Sequence, residues 1–391
     1  MHKNGGSRRG GCSPGGFVFP ANVFYLSTFI LATSTPVLHH TTMEYMMNKY
    51  LLLFTLFACG ILWVGTSSAQ SPGTGYHIID SLRLGGEGGW DYLTIDTEAH
   101  RLYVSRGARV QVVDLAKRTI AGEIAPTPGV HGIALVPTLG RGYTSNGRDS
   151  SVTVFDLKTL RSLATVKLDA RNPDAILYDA FSGRIFTFNG GSANATAIDA
   201  GPDTVSGSVP LGGKPEFAVT DGLGRIYVNI EDRNEVVVFD SRLLRVLNRW
   251  SLAPGEEPTG LAIDREHRRL FAVCGNPLMV VLDADAGKVL ATVPIGEGTD
   301  GAGYDAALHL AFSSNGEGTL TVVNAGGPDR YPVVGTVVTR RGARTLTVDE
   351  KAHRIYTVTA KFGPPPAPTA ERPRPRPTIE PGSVTLYIIG R

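Results

Sequence analysis

The chain has 391 residues, and its 38 basic and 36 acidic residues give a formal net charge of +2. This balance argues against a strongly acidic partner such as nucleic acid, and the length allows one large repeat domain. Three cysteines are too few for a disulfide framework. Cys12 and Cys59 precede the predicted mature chain, so Cys274, in a predicted strand, is interpreted as a buried, inert thiol.

A secretory signal peptide is predicted over residues 48–69. Lys49 precedes an apolar run at residues 50–64, and a small-residue cleavage site ends at Ala69. A basic residue, a short apolar core and a small-residue exit are typical of such signals, so we expect cleavage after Ala69 and a secreted or periplasmic protein. A retained membrane anchor is the alternative, but the run is shorter than the ~20 residues that span a bilayer.

Residues 1–47 are interpreted as a non-native or disordered extension. Met43, Met46 and Met47 lie just before Lys49, and we expect translation to start at one of them. Residues 70–391 then form a single domain.

A long repeat runs through this domain. Its pattern is apolar-x-apolar-Asp, a polar turn, Arg, apolar and aromatic, and its copies recur every ~41–44 residues. Six copies centre on an aspartate: Asp96, Asp179, Asp221, Asp264, Asp305 and Asp349. The seventh copy carries Val136 at that position. The spacing predicts seven blades between Trp90 and the C-terminus.

Each copy predicts four short strands, because β-branched residues alternate between Gly, Asn and Asp turns. The last copy ends after its third strand, and residues 77–84 resemble a fourth strand that lacks the first three. We therefore predict an all-β, seven-bladed propeller of four-stranded antiparallel blades, closed by an N-terminal strand.

The recurrent polar residues are interpreted as structural. An aspartate at a turn accepts hydrogen bonds from backbone N–H groups two positions on, so the repeated aspartates are not expected to form a metal array. An arginine occupies one turn position in the other copies, and His309 is assigned to that position in the sixth.

Tyr143-Thr144-Ser145-Asn146 is followed by Val152-Thr153-Val154-Phe155-Asp156, and residues 280–296 repeat the third-to-fourth-strand pattern. These segments resemble the YVTN-repeat propellers, the YncE-like group, over roughly residues 75–391. The resemblance implies a secreted or periplasmic propeller, and one YncE-like member is associated with single-stranded DNA binding. It implies no catalytic residues.

One variable, polar position precedes the first strand of each blade, where seven residues face one another across the channel of a propeller. It is occupied in chain order by Asp91, His131, Asp174, Glu216, Thr259, Asp300 and Arg344. Four of them, Asp91, Asp174, Glu216 and Asp300, are candidate ligands for a divalent cation such as Ca²⁺ or Mg²⁺. Trp90 is a candidate for stacking on a ligand, and a hydrated polar channel is the alternative interpretation.

A proline-rich insertion at residues 362–382 is predicted to be an exposed loop of the last blade, since prolines cannot pair in a ladder. Arg372, Arg374 and Arg376 within it are candidates for contact with a partner.

These features favour an exported, monomeric, non-catalytic binding or scaffold propeller that presents its channel mouth and loops to a small ligand, a metal ion or a protein. A metal-dependent, lactonase-like hydrolase using channel carboxylates is the alternative. Single-stranded DNA binding is the third hypothesis, and the near-neutral mature chain argues against it.

Overall fold

The computed structural model describes residues 74–369 and 377–391. Here the chain forms seven four-stranded antiparallel sheets arranged in a ring, so the predicted seven-bladed, all-β propeller is confirmed. The predicted signal peptide, the Ala69 cleavage site and the extension at residues 1–47 lie outside the described residues, and so do Arg372, Arg374 and Arg376. Within the described ranges, no helix has the length and apolar character needed to cross a membrane.

Strands are numbered in chain order, and each blade runs from the channel outward. Blades 1 and 2 consist of β2 (Leu93–Asp96), β3 (Arg101–Ser105), β4 (Val110–Asp114), β5 (Thr119–Ile124), then β6 (Val130–Val136), β7 (Arg141–Asn146), β8 (Ser151–Asp156) and β9 (Ser162–Lys167). Blades 3 and 4 consist of β10 (Pro173–Asp179), β11 (Arg184–Asn189), β12 (Asn194–Asp199), β13 (Thr204–Pro210), then β14 (Pro215–Thr220), β15 (Arg225–Ile230), β16 (Glu235–Asp240) and β17 (Arg245–Ser251).

Blades 5 and 6 consist of β18 (Pro258–Asp264), β19 (Arg269–Cys274), β20 (Leu278–Asp283), β21 (Val289–Pro294), then β22 (Thr299–Asp305), β23 (Leu310–Asn315), β24 (Thr319–Asn324) and β25 (Val333–Val338). Blade 7 consists of β26 (Leu346–Asp349), β27 (Arg354–Thr359), β28 (Thr385–Gly390) and β1 (His77–Arg83). Two single-turn 3₁₀ helices, Pro137–Leu139 and Glu231–Arg233, lie in turns of blades 2 and 4.

The core lies between neighbouring blades. The aromatic residues that recur on the second strands are at most 2% exposed, and they pack against the next sheet; Tyr103, for example, contacts Phe155 at 5.9 Å between ring centroids. Cys274 is also buried, and burial raises the pKa of its thiol to about 12, as expected of an inert thiol.

The recurrent aspartates act as predicted in their turns. Asp264 Oδ1 accepts hydrogen bonds from the N–H groups of Glu266 and His267, both at 3.0 Å, and Asp349 Oδ1 does the same for two residues of its own turn. The assignment of His309 was wrong. Asp305 pairs with Leu310 where Asp96 pairs with Arg101, so leucine replaces the recurrent arginine and His309 precedes it.

The ring closes through the N-terminal strand. β1 pairs with β28 from His77 to Arg83, and the Leu84 N–H donates to the Val384 carbonyl at 2.8 Å. Tyr76 and Leu84, at the two ends of β1, are buried, and Tyr76 packs on Phe312 of blade 6. The first blade to be synthesised is thereby joined to the last.

Deletion of every residue before Gly85 should destabilise the ring. Burial of Tyr76 and Leu84 is worth about 1.5–3 kcal/mol each, so we expect the free energy of unfolding to fall by about 3 kcal/mol or more. Urea denaturation followed by tryptophan fluorescence measures this change. A chain beginning at Thr74, which keeps β1, is the matched control; equal midpoints for the two truncations would contradict closure by β1.

Candidate functional site at the channel mouth

Six of the seven predicted channel-mouth residues line one cavity of about 200 Å³: Asp91, His131, Asp174, Glu216, Asp300 and Arg344. We call this cavity the mouth cavity. Thr259 is turned away from it, since its hydroxyl donates to the carbonyls of Val273 and Thr299. The predicted column is thus brought together at the start of the inner strands, apart from Thr259.

Buried polar side chains of the preceding blade hold several of these positions. Ser145 Oγ of β7 donates to the Asp174 carbonyl, and Ser314 Oγ of β23 donates to the Arg344 carbonyl at 2.5 Å. Asn229 of β15 does the same for Thr259 at 3.0 Å. Because these hydrogen bonds are buried, contacts between neighbouring blades fix the backbone at the mouth.

Tyr92 crosses the channel below the mouth residues. It precedes β2 of blade 1, yet its hydroxyl donates to the Glu216 carbonyl of blade 4 at 3.2 Å. Its ring stacks on Phe217 with 5.5 Å between centroids, and both rings line the mouth cavity. The two aromatic rings therefore form part of the cavity wall. Neither residue was predicted from the sequence.

The closest cluster in the cavity consists of His131 and two carboxylates. His131 Nδ1 shares a hydrogen bond with Asp91 Oδ2 at 2.7 Å and lies 3.5 Å from Asp174 Oδ1. The imidazole therefore bridges carboxylates from blades 1 and 3. One ligand atom from each of the three residues lies within 4.8 Å of the others, which makes them a candidate metal-binding group.

The two remaining carboxylates are held by cations. Arg344 lies 3.2 Å from Asp300 Oδ2, and Lys214 Nζ is shared between Glu216 and Glu231. Glu216 Oε2 is buried and accepts no hydrogen bond from the described residues, although Lys214 Nζ is 3.1 Å away. Of the four predicted metal ligands, Asp91 and Asp174 are therefore grouped with His131, whereas Glu216 and Asp300 are paired with basic side chains.

Crowding and burial perturb these carboxyl groups. Burial, against the opposing charge of His131 and with the added charges of Glu216 and Asp91, raises the pKa of Asp174 to about 7. Burial also raises the pKa of Asp300 to about 6, despite the opposing charge of Arg344. The pKa of Glu216 is raised by burial as well. The Asp174 carboxyl group is therefore partly protonated near neutral pH.

The pKa of His131 is raised as well, but for a different reason. Burial lowers the pKa of its imidazole, but the hydrogen bond that Asp91 accepts and the charges of Asp174 and Asp91 outweigh burial and raise that pKa. The positively charged imidazolium is thus favoured between the two carboxylates, at a position that a metal cation could also take.

Trp90 lies in a neighbouring cavity of about 350 Å³ rather than in the mouth cavity. It packs at 6.2 Å from the Phe362 ring, beside Ile379, and its Nε1 is buried with no hydrogen-bond partner among the described residues. Arg344 lines both cavities. Trp90 therefore belongs with the base of the proline-rich loop.

The base of that loop is ordered by backbone pairing. The Gly363 N–H donates to the Thr378 carbonyl at 2.8 Å, and the Glu380 N–H donates to the Lys361 carbonyl at 2.9 Å. These bonds bring the two ends of the insertion together beside Trp90.

A buried arginine positions the segment that carries Trp90 and Asp91. Arg106 is 1% exposed, and its guanidinium donates to the carbonyls of Gly85, Glu87, Gly88 and Gly89 and to Gln111 Oε1. Burial lowers the pKa of Arg106 to about 10. The planar guanidinium has five N–H donors and suits this set of acceptors. A lysine, with a single ammonium group, cannot reach all of them.

Comparisons with known proteins define the fold only. No family model and no curated protein matches the chain. Among 1846 matching chains of solved structures is one from the hydrazine synthase of Kuenenia stuttgartiensis, with a TM-score of 0.62 and 16% identity over 69% of this chain and 92% of that chain. So widespread a fold does not indicate a function, which has to be argued from the site.

Replacement of Arg106 by lysine should lower the free energy of unfolding by about 2–4 kcal/mol, because buried carbonyls lose their donors. Chemical denaturation measures the loss. Arg118→Lys is the control, since Arg118 makes an exposed pair with Asp80 that is worth at most ~1 kcal/mol. Equal stabilities for the two variants would show that Arg106 does not hold the segment.

Proposed function

We propose that the chain is a binding propeller whose mouth cavity holds a hydrated divalent cation. The observation that carries this proposal is the convergence of Asp91, His131 and Asp174 at one acidic cavity. A propeller fold is consistent with a binding or scaffold role, and the cavity gives that role a chemical class.

The size of the cavity supports a small ligand. Pockets for drug-sized molecules are typically ~300–1,000 Å³, whereas the mouth cavity measures about 200 Å³. A cation that keeps part of its water shell fits this volume.

The charges support a positive ligand. Four carboxylates of the cavity are paired with only three basic groups, His131, Arg344 and Lys214. Lys214 also pairs with Glu231, so the acidic groups outnumber the basic ones. The carboxylates of Asp91 and Asp174 suit Ca²⁺, Mg²⁺ or Mn²⁺. A bound cation would take over the position of the proton at His131 and would leave the remaining ligand positions to water.

We also propose membership of the YVTN-repeat family, on the residues that resemble its motif. Tyr143–Asn146 falls on the second strand of blade 2 and Val152–Asp156 on its third, as the motif requires. We propose that the arginines of the insertion at residues 362–382, Arg372, Arg374 and Arg376, contact an acidic partner.

Titration of the full chain should detect one equivalent of Ca²⁺, Mg²⁺ or Mn²⁺ at the mouth cavity. Asp174→Asn should weaken binding at least tenfold, because it removes an anionic ligand, whereas Glu98→Gln, at an exposed pair with Lys351, should leave it unchanged. Isothermal titration calorimetry measures both. Unaltered binding in Asp174→Asn would exclude this site.

The same affinity should depend on pH. Since the pKa of Asp174 is about 7, protons compete with the cation below neutral pH, and affinity should weaken roughly tenfold between pH 8 and pH 6. Titrations at these two pH values, with proton release followed in weakly buffered solution, test this. An affinity that is flat across this range would argue that Asp174 is not a ligand.

We further propose that the protein is exported through the segment at residues 48–69. Expression of the full chain in a secreting host should yield a mature protein that begins at Gln70, as intact mass and N-terminal sequencing would show. Ala69→Arg, which places a bulky charge at the small-residue position, should block cleavage. Recovery of an uncleaved, membrane-bound chain would instead support the anchor alternative.

A further inference from the structure

We propose that Asp264, His267 and His309 form a binding site for a first-row transition-metal ion. We call this group the base cluster. Asp264 ends the inner strand of blade 5, His267 lies in the turn that follows, and His309 lies in the equivalent turn of blade 6. The base cluster is therefore at the opposite end of the inner strands from the mouth cavity, and it is independent of the function proposed above.

The three side chains converge at one point. One ring nitrogen of each histidine and one carboxylate oxygen of Asp264 lie within 4.8 Å of one another. His267 Nδ1 is 2.8 Å from Asp264 Oδ2, and the two imidazole rings meet edge to face with 5.3 Å between centroids. A tetrahedral ion with bonds of about 2.0–2.2 Å holds its ligand atoms about 3.3–3.6 Å apart, so side-chain rotations that adjust these separations would complete the site.

The carboxylate is already oriented. Asp264 is 1% exposed, and its Oδ1 accepts the two turn N–H groups described above. Its Oδ2 faces the histidines and accepts a hydrogen bond from the Tyr304 hydroxyl at 2.7 Å. The same hydroxyl is 3.4 Å from His309 Nδ1. Tyr304 is therefore a positioning residue of the kind that commonly supports metal ligands.

The repeat itself supplies the comparison that separates this site from ordinary packing. In three blades the residue four positions after the aspartate reaches back to the aspartate of the preceding blade: Arg268 to Asp221, His309 towards Asp264, and His353 to Asp305. An inter-blade contact explains these pairs. It does not explain His267, which adds a third ligand at a position held elsewhere by small or apolar residues: Ala99, Leu139, Ser182, Leu308 and Ala352.

The ligand types select the class of metal. Two imidazoles and one carboxylate suit Zn²⁺, Cu²⁺, Ni²⁺ or Co²⁺, whereas Ca²⁺ and Mg²⁺ prefer oxygen ligands. The side chain of His267 is 47% exposed, which gives an ion access and leaves a position for water. The neighbouring arginines face other partners: Arg265 donates to the Thr220 carbonyl, and Arg268 is paired with Asp221 and Asp285.

The experiment is a Zn²⁺ titration of the untagged, chelator-treated full chain by calorimetry, repeated with Co²⁺ to record its visible ligand-field bands. His267→Gln and His309→Gln should each weaken Zn²⁺ binding at least tenfold and remove the Co²⁺ bands of a four-coordinate site. Glutamine keeps a hydrogen-bonding group in both turns, and circular dichroism checks that the variants fold.

His353→Gln is the matched control, because His353 holds the position in blade 7 that His309 holds in blade 6 and lies 2.8 Å from Asp305, where Leu308 replaces the third ligand. It should bind Zn²⁺ like the unaltered chain. Equal loss in His353→Gln and His267→Gln, or full binding in both His267→Gln and His309→Gln, would overturn the proposal. Loss in Asp174→Asn alone would assign the Zn²⁺ to the mouth cavity and would also overturn it.

Discussion

Closure of the ring is the constraint on which the other features depend. β1 places the N-terminal segment in blade 7, so the first and last blades share one sheet. The inner strands of all seven blades then contact their neighbours around the channel and begin at the same end. Only in a closed ring can Asp91 of blade 1 and Arg344 of blade 7 line one cavity. The geometry of the candidate site is thus a property of the whole domain.

The fold could be predicted because its signals are local and repeated. Six of the seven copies carry a turn aspartate, and every copy has a buried aromatic residue and strand alternation, so the fold is predicted several times over. Six of the seven residues predicted at the channel mouth line one cavity. The signal for them was a position that varies among uniform neighbours, which packing does not fix. Tyr92 could not be found in this way. Its partner, Glu216, is 124 residues away in the chain, and only the diameter of the channel determines that the two meet.

Arg106 and the base cluster were missed for two further reasons. Arg106 serves one irregular segment, the entry to blade 1, which has no counterpart in the other copies. The base cluster combines residues of two copies, and the error of one position at His309 assigned that residue to the arginine column. Leu310 fills that column, which frees the preceding histidine to face blade 5. The repeat pattern thus predicts the features that its copies share. It does not predict Arg106 or the base cluster, which depend on residues that differ between copies.

The acidic mouth has an energetic cost that a scaffold alone does not explain. The folded-state pKa of Asp174, about 7, lies above its ordinary value of 3.8. A carboxyl group with a raised pKa favours the folded state when protonated, so its contribution to stability is lost as the pH rises from about 4 to 7. The raised pKa of His131 acts in the opposite sense, because its imidazolium is stabilised in the folded state, but it does not remove the desolvation of the Asp174 carboxylate. Neutral residues at this position would avoid the cost. A cation held by Asp91 and Asp174 would offset it, which is the physical reason for regarding the mouth as a binding site.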